Sequence, residues 1–135
     1  MTAIETVQEF IDAINQRDID RICRLMTEDH LFIDSLGAEI RGSDGMRKGW
    51  AAYFSMVPDY VIQVKESIAE GQLVVATGMA RGTYSPDGKL KNDDGWSTPA
   101  AWRAVVDNGR VATWQVFADN EPLRMILRKY EAENA

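Results

Sequence analysis

The sequence has a single cysteine and a single histidine among its 135 residues. One cysteine cannot form a disulfide within the chain, and Cys23 lies beside Ile22 and Met26, so we expect a small buried apolar residue in a protein of the reducing cytoplasm. Cys23 and His30 alone do not supply the ligand cluster that a transition-metal site needs. Glycine-rich phosphate loops are also missing, so we expect neither a metal nor a cofactor.

Clustered positive charge and long apolar runs are lacking as well. The formal net charge is -6, from 15 Lys and Arg against 21 Asp and Glu. Binding to a phosphate backbone needs clustered cations, so we expect no nucleic-acid partner. No stretch approaches the roughly 20 apolar residues of a membrane span, and the N-terminus lacks a basic segment followed by an apolar run. We therefore expect neither membrane insertion nor secretion.

Apolar residues are nonetheless plentiful, at 45% of the chain, and the aromatic residues are spread along its whole length. A chain of this size buries roughly two thirds of the surface that its unfolded form exposes. We expect residues 1–135 to form a single domain.

Apolar residues recur at helical spacing in four segments. Thr2 and Glu5 form the pattern of a capping box at the start of the first, and Pro58 ends the third. The predicted helices cover residues 4–14, 19–26 and 43–57, with a fourth after Pro122.

The period of the apolar pattern changes to two in the second half of the chain. Turn signals at residues 70–71, 85–88 and 107–109 separate the segments. The predicted strands cover residues 31–33, 60–69, 73–84, 96–106 and 110–118, with a polar loop over 89–95. Helices grouped ahead of hairpin-linked strands indicate an α+β domain with an antiparallel sheet.

Several stretches carry a resemblance to a known family over nearly the whole chain. They are residues 10–15, 18–20, 27–30, 33–37 with Gly42, 99–102, 108–111 and 114–122. In these stretches the sequence resembles the nuclear transport factor 2-like superfamily, and in particular its SnoaL-like and ketosteroid-isomerase-like branches.

This resemblance implies a cone-shaped, curved antiparallel or mixed sheet with helices packed on its concave side, the cystatin-like α+β barrel. It also implies a mostly apolar cavity for a small hydrophobic or cyclic molecule, and a homodimer formed through the outer face of the sheet. Members include isomerases, cyclases, epoxide hydrolases and non-catalytic binding domains, so the function has to be argued from residues.

Asp34 is the first candidate catalytic residue. Residues 34–37, Asp-Ser-Leu-Gly, match the Asp-Pro-x-Gly stretch of ketosteroid isomerases, apart from serine for proline. The aspartate of that stretch moves a proton between carbons of an enone, and a carboxylate that reaches into an apolar site can act as such a base. The alternative is that Asp34 only binds the backbone of the turn that follows it.

The oxyanion donors of ketosteroid isomerases are missing. An ungapped comparison places Phe10 and Ala101 at the two donor positions, and neither side chain can donate a hydrogen bond. Losing one such donor typically costs ~10²–10³ in rate, so we do not expect steroid isomerisation by that route.

Three other residues could act with Asp34. Arg103 would share the facing of Ala101 and pair with Asp34 inside the cone, or else lie outward over the sheet. Tyr53 is an alternative partner to polarise a carbonyl. His30 shares the parity of Asp34 and has a pKa suited to proton transfer, although a histidine there could equally pack against a helix.

Asp119 has two interpretations. The resemblance places it near the aspartate that serves as acid and base on the last strand of polyketide cyclases. Because Asp119 directly precedes Asn120, Glu121 and Pro122, capping of the last helix is the favoured reading.

Aromatic and small residues predict the walls of the ligand cavity. Small residues alternate on one face of the strand over 73–84 and would leave space beneath the helices. The predicted ligand-binding residues are Phe10, Trp50, Tyr53, Phe54, Ala101, Trp102, Trp114 and Val116. The tryptophans could equally be core or interface residues.

Two functions follow from these residues. The first is a cofactor-independent isomerase, cyclase or hydrolase that acts by proton transfer on a small cyclic or carbonyl compound, with Asp34 as the base. The second is a non-catalytic domain that binds a small hydrophobic ligand in the same cavity.

Overall fold

The computed structural model describes residues 1–133, the side chain of residue 92 excepted. Within residues 1–133, four helices and six strands form the fold, and a short 3-10 helix, Asn92–Asp94, lies between the fourth and fifth strands. In chain order the elements are α1 (Ala3–Asn15), α2 (Ile19–Arg24), β1 (Met26–Ile33), β2 (Glu39–Arg41), α3 (Ser43–Met56), β3 (Val61–Glu70), β4 (Leu73–Thr83), β5 (Gly95–Asp107), β6 (Arg110–Ala118) and α4 (Glu121–Glu133).

The six strands form one curved, mixed sheet in the order β2-β1-β6-β5-β4-β3. All neighbours are antiparallel except β1 and β6, which run parallel. Register shifts interrupt the pairs β1–β6, β3–β4 and β5–β6, and such bulges bend strands and increase their twist. The α+β class and the mixed sheet predicted from the sequence are confirmed.

Helix α1 begins as its sequence predicts. The Glu5 N–H donates to Thr2 Oγ1 and the Thr2 N–H donates to Glu5 Oε1, both at 3.1 Å, which completes the capping box. The helix buries one apolar face, including Phe10 and Ile14 at 0% exposure, against the concave face of the sheet.

The first strand is longer than predicted. Helix α2 ends at Arg24 and β1 starts at Met26, whereas the apolar pattern placed Met26 in the helix and began the strand at Leu31. Residues 27–29 are polar, so they gave no strand signal, yet their backbone continues beside β6 through a register shift. The three-residue β2 was missed because it is exposed throughout and has no apolar period.

Cys23 also differs from its prediction. The Cys23 side chain is half-buried. The six-residue α2 turns Ile22 fully into the core, which leaves Cys23 at the edge of the interface with α3.

No helix among residues 1–133 has both the length and the apolar character needed to cross a membrane.

A buried carboxylate holds helix α4 against the connection between β4 and β5. Asp94 is 1% exposed. It accepts a hydrogen bond from the Tyr130 hydroxyl at 2.6 Å and forms an ion pair with Lys129 at 3.3 Å. The ring of Tyr130 also meets Tyr84 edge to face at 4.9 Å. Two residues of α4 are thereby held against the connection between β4 and β5.

We predict that Asp94→Asn lowers the melting temperature by several degrees at pH 7. The hydrogen bond from Tyr130, followed by that from Lys129, lowers the pKa of Asp94 below its ordinary 3.8. A lowered pKa means that the stabilisation is present above about pH 4 and fades as the pH falls further. Thermal melts at pH 7 and pH 3 should therefore show a difference between variant and wild type that narrows in acid. The exposed neighbour Asp93 provides the control, and Asp93→Asn should melt like the wild type at both pH values.

Candidate functional site

A cavity of about 220 Å³ lies between the concave face of the sheet and helix α3. A void of roughly 150 Å³ can hold a benzene ring, so this larger cavity has room for a small cyclic molecule. Side chains of β1, β4, β5 and β6 contribute to its walls together with α3.

Six aromatic rings line the cavity. Trp50 is central to them, with Phe32 and Tyr53 meeting it edge to face at 6.5 and 6.4 Å. On the side of β3 and β5, Tyr60 and Trp96 lie 6.1 Å apart. The six aromatic lining residues are Phe32, Trp50, Tyr53, Tyr60, Trp96 and Trp114, and the aliphatic ones are Ile40, Met46, Ala80, Val116 and Ala118.

Polar groups of the lining gather where β1 and β6 end. Asp34, Ser35 and Asn120 lie there, each half-buried. The Asn120 side-chain N–H donates to Ser35 Oγ at 2.5 Å and so joins the ends of the two parallel strands. Because Ile40 beside them is 41% exposed, this polar side is the mouth of the cavity.

Asp34 lines the mouth and also organises the turn after β1. Its Oδ1 accepts hydrogen bonds from the backbone N–H groups of Leu36 and Ala38, both at 2.9 Å. Within residues 1–133 no hydrogen bond reaches Oδ2. The two interpretations of Asp34 are therefore compatible, since one oxygen is fixed by the turn and the other is left for a ligand.

Arg103 and Ala101 do not share this cavity. Strand β5 buries its even-numbered residues, including Trp102, on the concave side, so the odd-numbered ones face outward. Arg103 is opposite Gln115 and Ala101 is opposite the half-exposed Phe117. Of the two facings that the sequence left open for Arg103, the structure has the outward one, so Arg103 is corrected as a catalytic candidate. The ungapped comparison had put Ala101 one residue out of register with the concave face.

Three predicted ligand-binding residues lie behind the wall. Phe10 is fully buried and packs against Trp114 at 5.0 Å, and Trp102 stacks on Trp114 at 6.5 Å. Phe54 stacks on Trp50 at 5.4 Å. These rings hold Trp50 and Trp114 in position but are not part of the lining, whereas Tyr53 and Val116 are.

His30 is fully buried and belongs to the core. Its Nδ1 lies 2.6 Å from the Val111 carbonyl oxygen, which can only accept, so Nδ1 carries the proton. Its ring lies 6.1 Å from that of Phe10. Burial lowers the pKa of His30 below its ordinary 6.5, with the Val111 carbonyl opposing the shift. The structure thus places His30 in a packing position under α1, away from the cavity lining.

Asp119 interacts with the start of the last helix. Its Oδ1 accepts a hydrogen bond from the Glu121 N–H at 2.9 Å and its side chain is exposed. This is the local role that the sequence favoured for Asp119.

Tyr60 and Trp96 are the main lining residues that the sequence analysis missed. Trp96 has the same parity as Trp102 on β5, so the period-two pattern of this strand is a signal that could have placed it on the concave face. Tyr60 directly precedes β3 and is parity-matched with the buried Ile62. Both are at least nine-tenths buried.

Two ionisable tyrosines contribute to the electrostatics of the cavity. Burial raises the pKa of Tyr60 well above its ordinary 10, and burial followed by the nearness of Tyr60 does the same for Tyr53. Both phenols therefore stay protonated at neutral pH. Asp34 is the one charged side chain of the lining, and among residues 1–133 no three His, Cys, Asp or Glu side chains meet as a metal centre would need.

The comparisons with known proteins agree with this fold. The model of the SnoaL-like domain matches residues 7–114, and the chain belongs to the family of SnoaL-like domains. This confirms the resemblance identified in the sequence. A comparison with curated proteins found no match.

Solved structures with the same fold come from several bacteria. A SnoaL-like polyketide cyclase candidate of Shewanella denitrificans is 15% identical over 94% of this chain and 97% of that one, with a TM-score of 0.81. An epoxide hydrolase of Mycobacterium tuberculosis is 17% identical over 94% and 90%, with a TM-score of 0.77. A cystatin-fold protein of Novosphingobium aromaticivorans is 24% identical over 87% and 98%, with a TM-score of 0.68. At these identities the likeness concerns the fold.

The buried His30 predicts a pH dependence of stability. Because its pKa is lowered in the folded state, only the unfolded chain takes up the proton as the pH falls below 6.5. The free energy of unfolding should then fall by up to roughly 1.4 kcal/mol per pH unit between pH 6.5 and the folded pKa. Urea unfolding at pH 7.0, 6.0 and 5.5 measures this slope.

His30→Gln serves as the matched variant. Since the chain has one histidine, the slope over this interval should be abolished even if the variant is less stable overall. An unchanged slope in the variant would show that another group causes it.

Proposed function

We propose that this protein binds a small cyclic carbonyl compound in its cavity and transfers a proton within it, with Asp34 as the base. The observation that supports the proposal most is that Asp34 and Tyr53 line one aromatic cavity. A carboxylate at one side and a hydroxyl donor at another are the two groups that proton transfer next to a carbonyl requires.

The chemical step uses the free oxygen of Asp34. Its Oδ2 takes a proton from the carbon next to the carbonyl, the C–H electron pair forms a C=C bond, and the carbonyl π pair moves onto the oxygen. Tyr53 stabilises that oxygen by donating a hydrogen bond. In a β,γ-unsaturated ketone the enolate is extended by the second C=C bond. The pair on oxygen then re-forms the carbonyl, the double bond moves into conjugation, and the γ carbon takes the proton from Asp34, which completes an isomerisation without a redox partner.

A second candidate function is binding without chemistry. The observation that favours it is the pair of backbone N–H groups on Asp34 Oδ1, since a carboxylate that shapes a turn needs no catalytic reason to be there. In that case the aromatic cavity still takes a small apolar ring.

Asp34→Asn separates the two functions. The amide oxygen of asparagine keeps the acceptor for the Leu36 and Ala38 N–H groups, whereas the basic oxygen is lost. With 2-tetralone in deuterium oxide, we expect the wild type to accelerate exchange of the protons next to the carbonyl. A general base contributes roughly 10²–10⁴ in rate, so the variant should lose most of this acceleration. Proton NMR measures the exchange.

The exposed Asp119 supplies the control carboxylate. Asp119→Asn should exchange 2-tetralone protons at the wild-type rate. Binding of the ketone with no accelerated exchange in the wild type, and equal binding by Asp34→Asn, would reject the base and leave the binding function.

We further propose that two copies associate through the outer face of the sheet, which leaves both cavities open. Apolar side chains that are exposed on this face support the proposal: Ile68 is 72% exposed, Phe117 50%, and Leu73 and Val75 39% each. Ile68 is opposite Val75 and Val75 opposite Arg103, so these side chains form a row across the face.

Val75→Glu tests the association. We expect the wild type to sediment at twice the 15.2 kDa of the chain, and the variant, which would bury two carboxylates in the interface, to dissociate at least tenfold more readily. Sedimentation velocity from 1 to 100 µM gives the masses. Leu36→Glu is the control, because Leu36 is 80% exposed and lies off the sheet. A monomeric wild type at 100 µM would contradict the proposal.

A further inference from the structure

Two tyrosines meet at the better-buried side of the cavity, away from Asp34. Tyr53 comes from α3 and Tyr60 from the residue before β3, and both line the cavity. Their rings meet edge to face, 5.0 Å apart at 89°. Trp50 and Trp96 pack on the outer sides of the pair at 6.4 and 6.1 Å. The ring positions are therefore fixed by aromatic contacts, independently of the hydroxyls.

Neither phenol hydroxyl has a hydrogen-bond partner within residues 1–133. Buried tyrosines usually find a partner for the hydroxyl, and Tyr60 is only 7% exposed. Both phenols remain neutral, for the reason given above, so each can donate a proton to an acceptor. An aromatic cluster that only filled the core would be served as well by phenylalanine.

The other polar groups of the lining define what such an acceptor can be. Asn120 donates to Ser35 Oγ at the mouth, where Asp34 contributes a carboxylate, and the buried indole N–H groups of Trp50 and Trp96 are further donors without a partner. The lining of this cavity contains no Lys or Arg that could balance an anionic ligand. An uncharged oxygen is therefore the acceptor that suits two hydroxyl donors near a lone carboxylate.

We propose that Tyr53 and Tyr60 form a donor subsite that selects an uncharged ring ligand carrying a carbonyl oxygen. This rests on the proposed function and extends it, since it adds Tyr60 as a second donor and excludes carboxylate-bearing ligands. Held by that oxygen, the ligand directs the C–H bonds next to its carbonyl toward Asp34 at the mouth.

The test compares two probes of equal size, acetophenone and cumene, in which a methyl group replaces the carbonyl oxygen. We expect Tyr53→Phe and Tyr60→Phe each to weaken acetophenone binding roughly 3- to 10-fold, as the loss of one hydrogen bond does. Cumene affinity should change less than twofold. NMR titrations that follow the indole N–H signals of Trp50 and Trp96 give the dissociation constants. Benzoate should bind at least tenfold more weakly than acetophenone.

A spectroscopic signature distinguishes donation from packing. The carbonyl carbon of ¹³C-labelled acetophenone should move downfield on binding to the wild type and less so with each single variant. Tyr84→Phe is the matched control, because Tyr84 packs on Tyr130 outside the cavity. Should Tyr60→Phe fail to fold, Tyr53→Phe and the shift in the wild type still decide the question.

Three results would overturn the subsite. They are unchanged acetophenone affinity in both variants, equal losses for acetophenone and cumene, and absence of binding by the wild type. The first two leave binding in the cavity intact. Conversely, a wild type that does not accelerate proton exchange in 2-tetralone, with the tyrosine effects preserved, would reject only Asp34 as the base.

Discussion

The register in which β4, β5 and β6 pair decides which side chains can meet a ligand. Backbone hydrogen bonds place Ala104 opposite Trp114 and Trp102 opposite Val116, so these four side chains share the concave face. A shift of one residue would exchange this apolar face with the outer one that carries Arg103. The aromatic wall, the closure of α1 over the sheet and the exclusion of basic residues from the cavity all depend on that pairing.

Two glycines on β4 allow neighbouring segments to approach the strand closely. A Cβ at Gly78 would lie 1.8 Å from the Gln63 carbonyl oxygen beside the bulge of β3, and one at Gly82 would lie 2.4 Å from a methyl group of Val57. Only glycine fits at either position. The alternating small residues of this strand were expected to leave empty space, yet among them only Ala80 lines the cavity. At the two glycines the space is filled by neighbouring atoms.

Much of the fold could be predicted from the sequence, and less of the site. Periods of 3.6 and 2, caps and turns identified α1, α3 and the long hairpins, because each of these signals is local. The facing of Arg103 could not be obtained in this way, since it depends on register and register is set by long-range pairing. Tyr53 and Trp114 were identified as lining residues, whereas Tyr60 was missed. The contact between the rings of Tyr60 and Tyr53 joins α3 to the start of β3 across a turn, and a local pattern does not predict such a contact.

The polarity of the cavity is divided between its two sides. Asp34 at the mouth is an acceptor whose position is fixed by a turn, and the tyrosine pair on the opposite side consists of donors whose positions are fixed by ring packing. Neither the turn nor the ring packing needs a ligand to form, so both sides of the cavity are in place before a ligand binds. A molecule with an oxygen at one end and acidic C–H bonds nearby would satisfy both at once, whereas an anion would meet a carboxylate without a compensating cation. The ungapped comparison put Phe10 and Ala101 at the donor positions of ketosteroid isomerases, and in the structure Phe10 supports the wall whereas Ala101 faces outward. The tyrosines that we propose as donors come instead from α3 and from the residue before β3, so they would hold a carbonyl oxygen at a different place in the same cone.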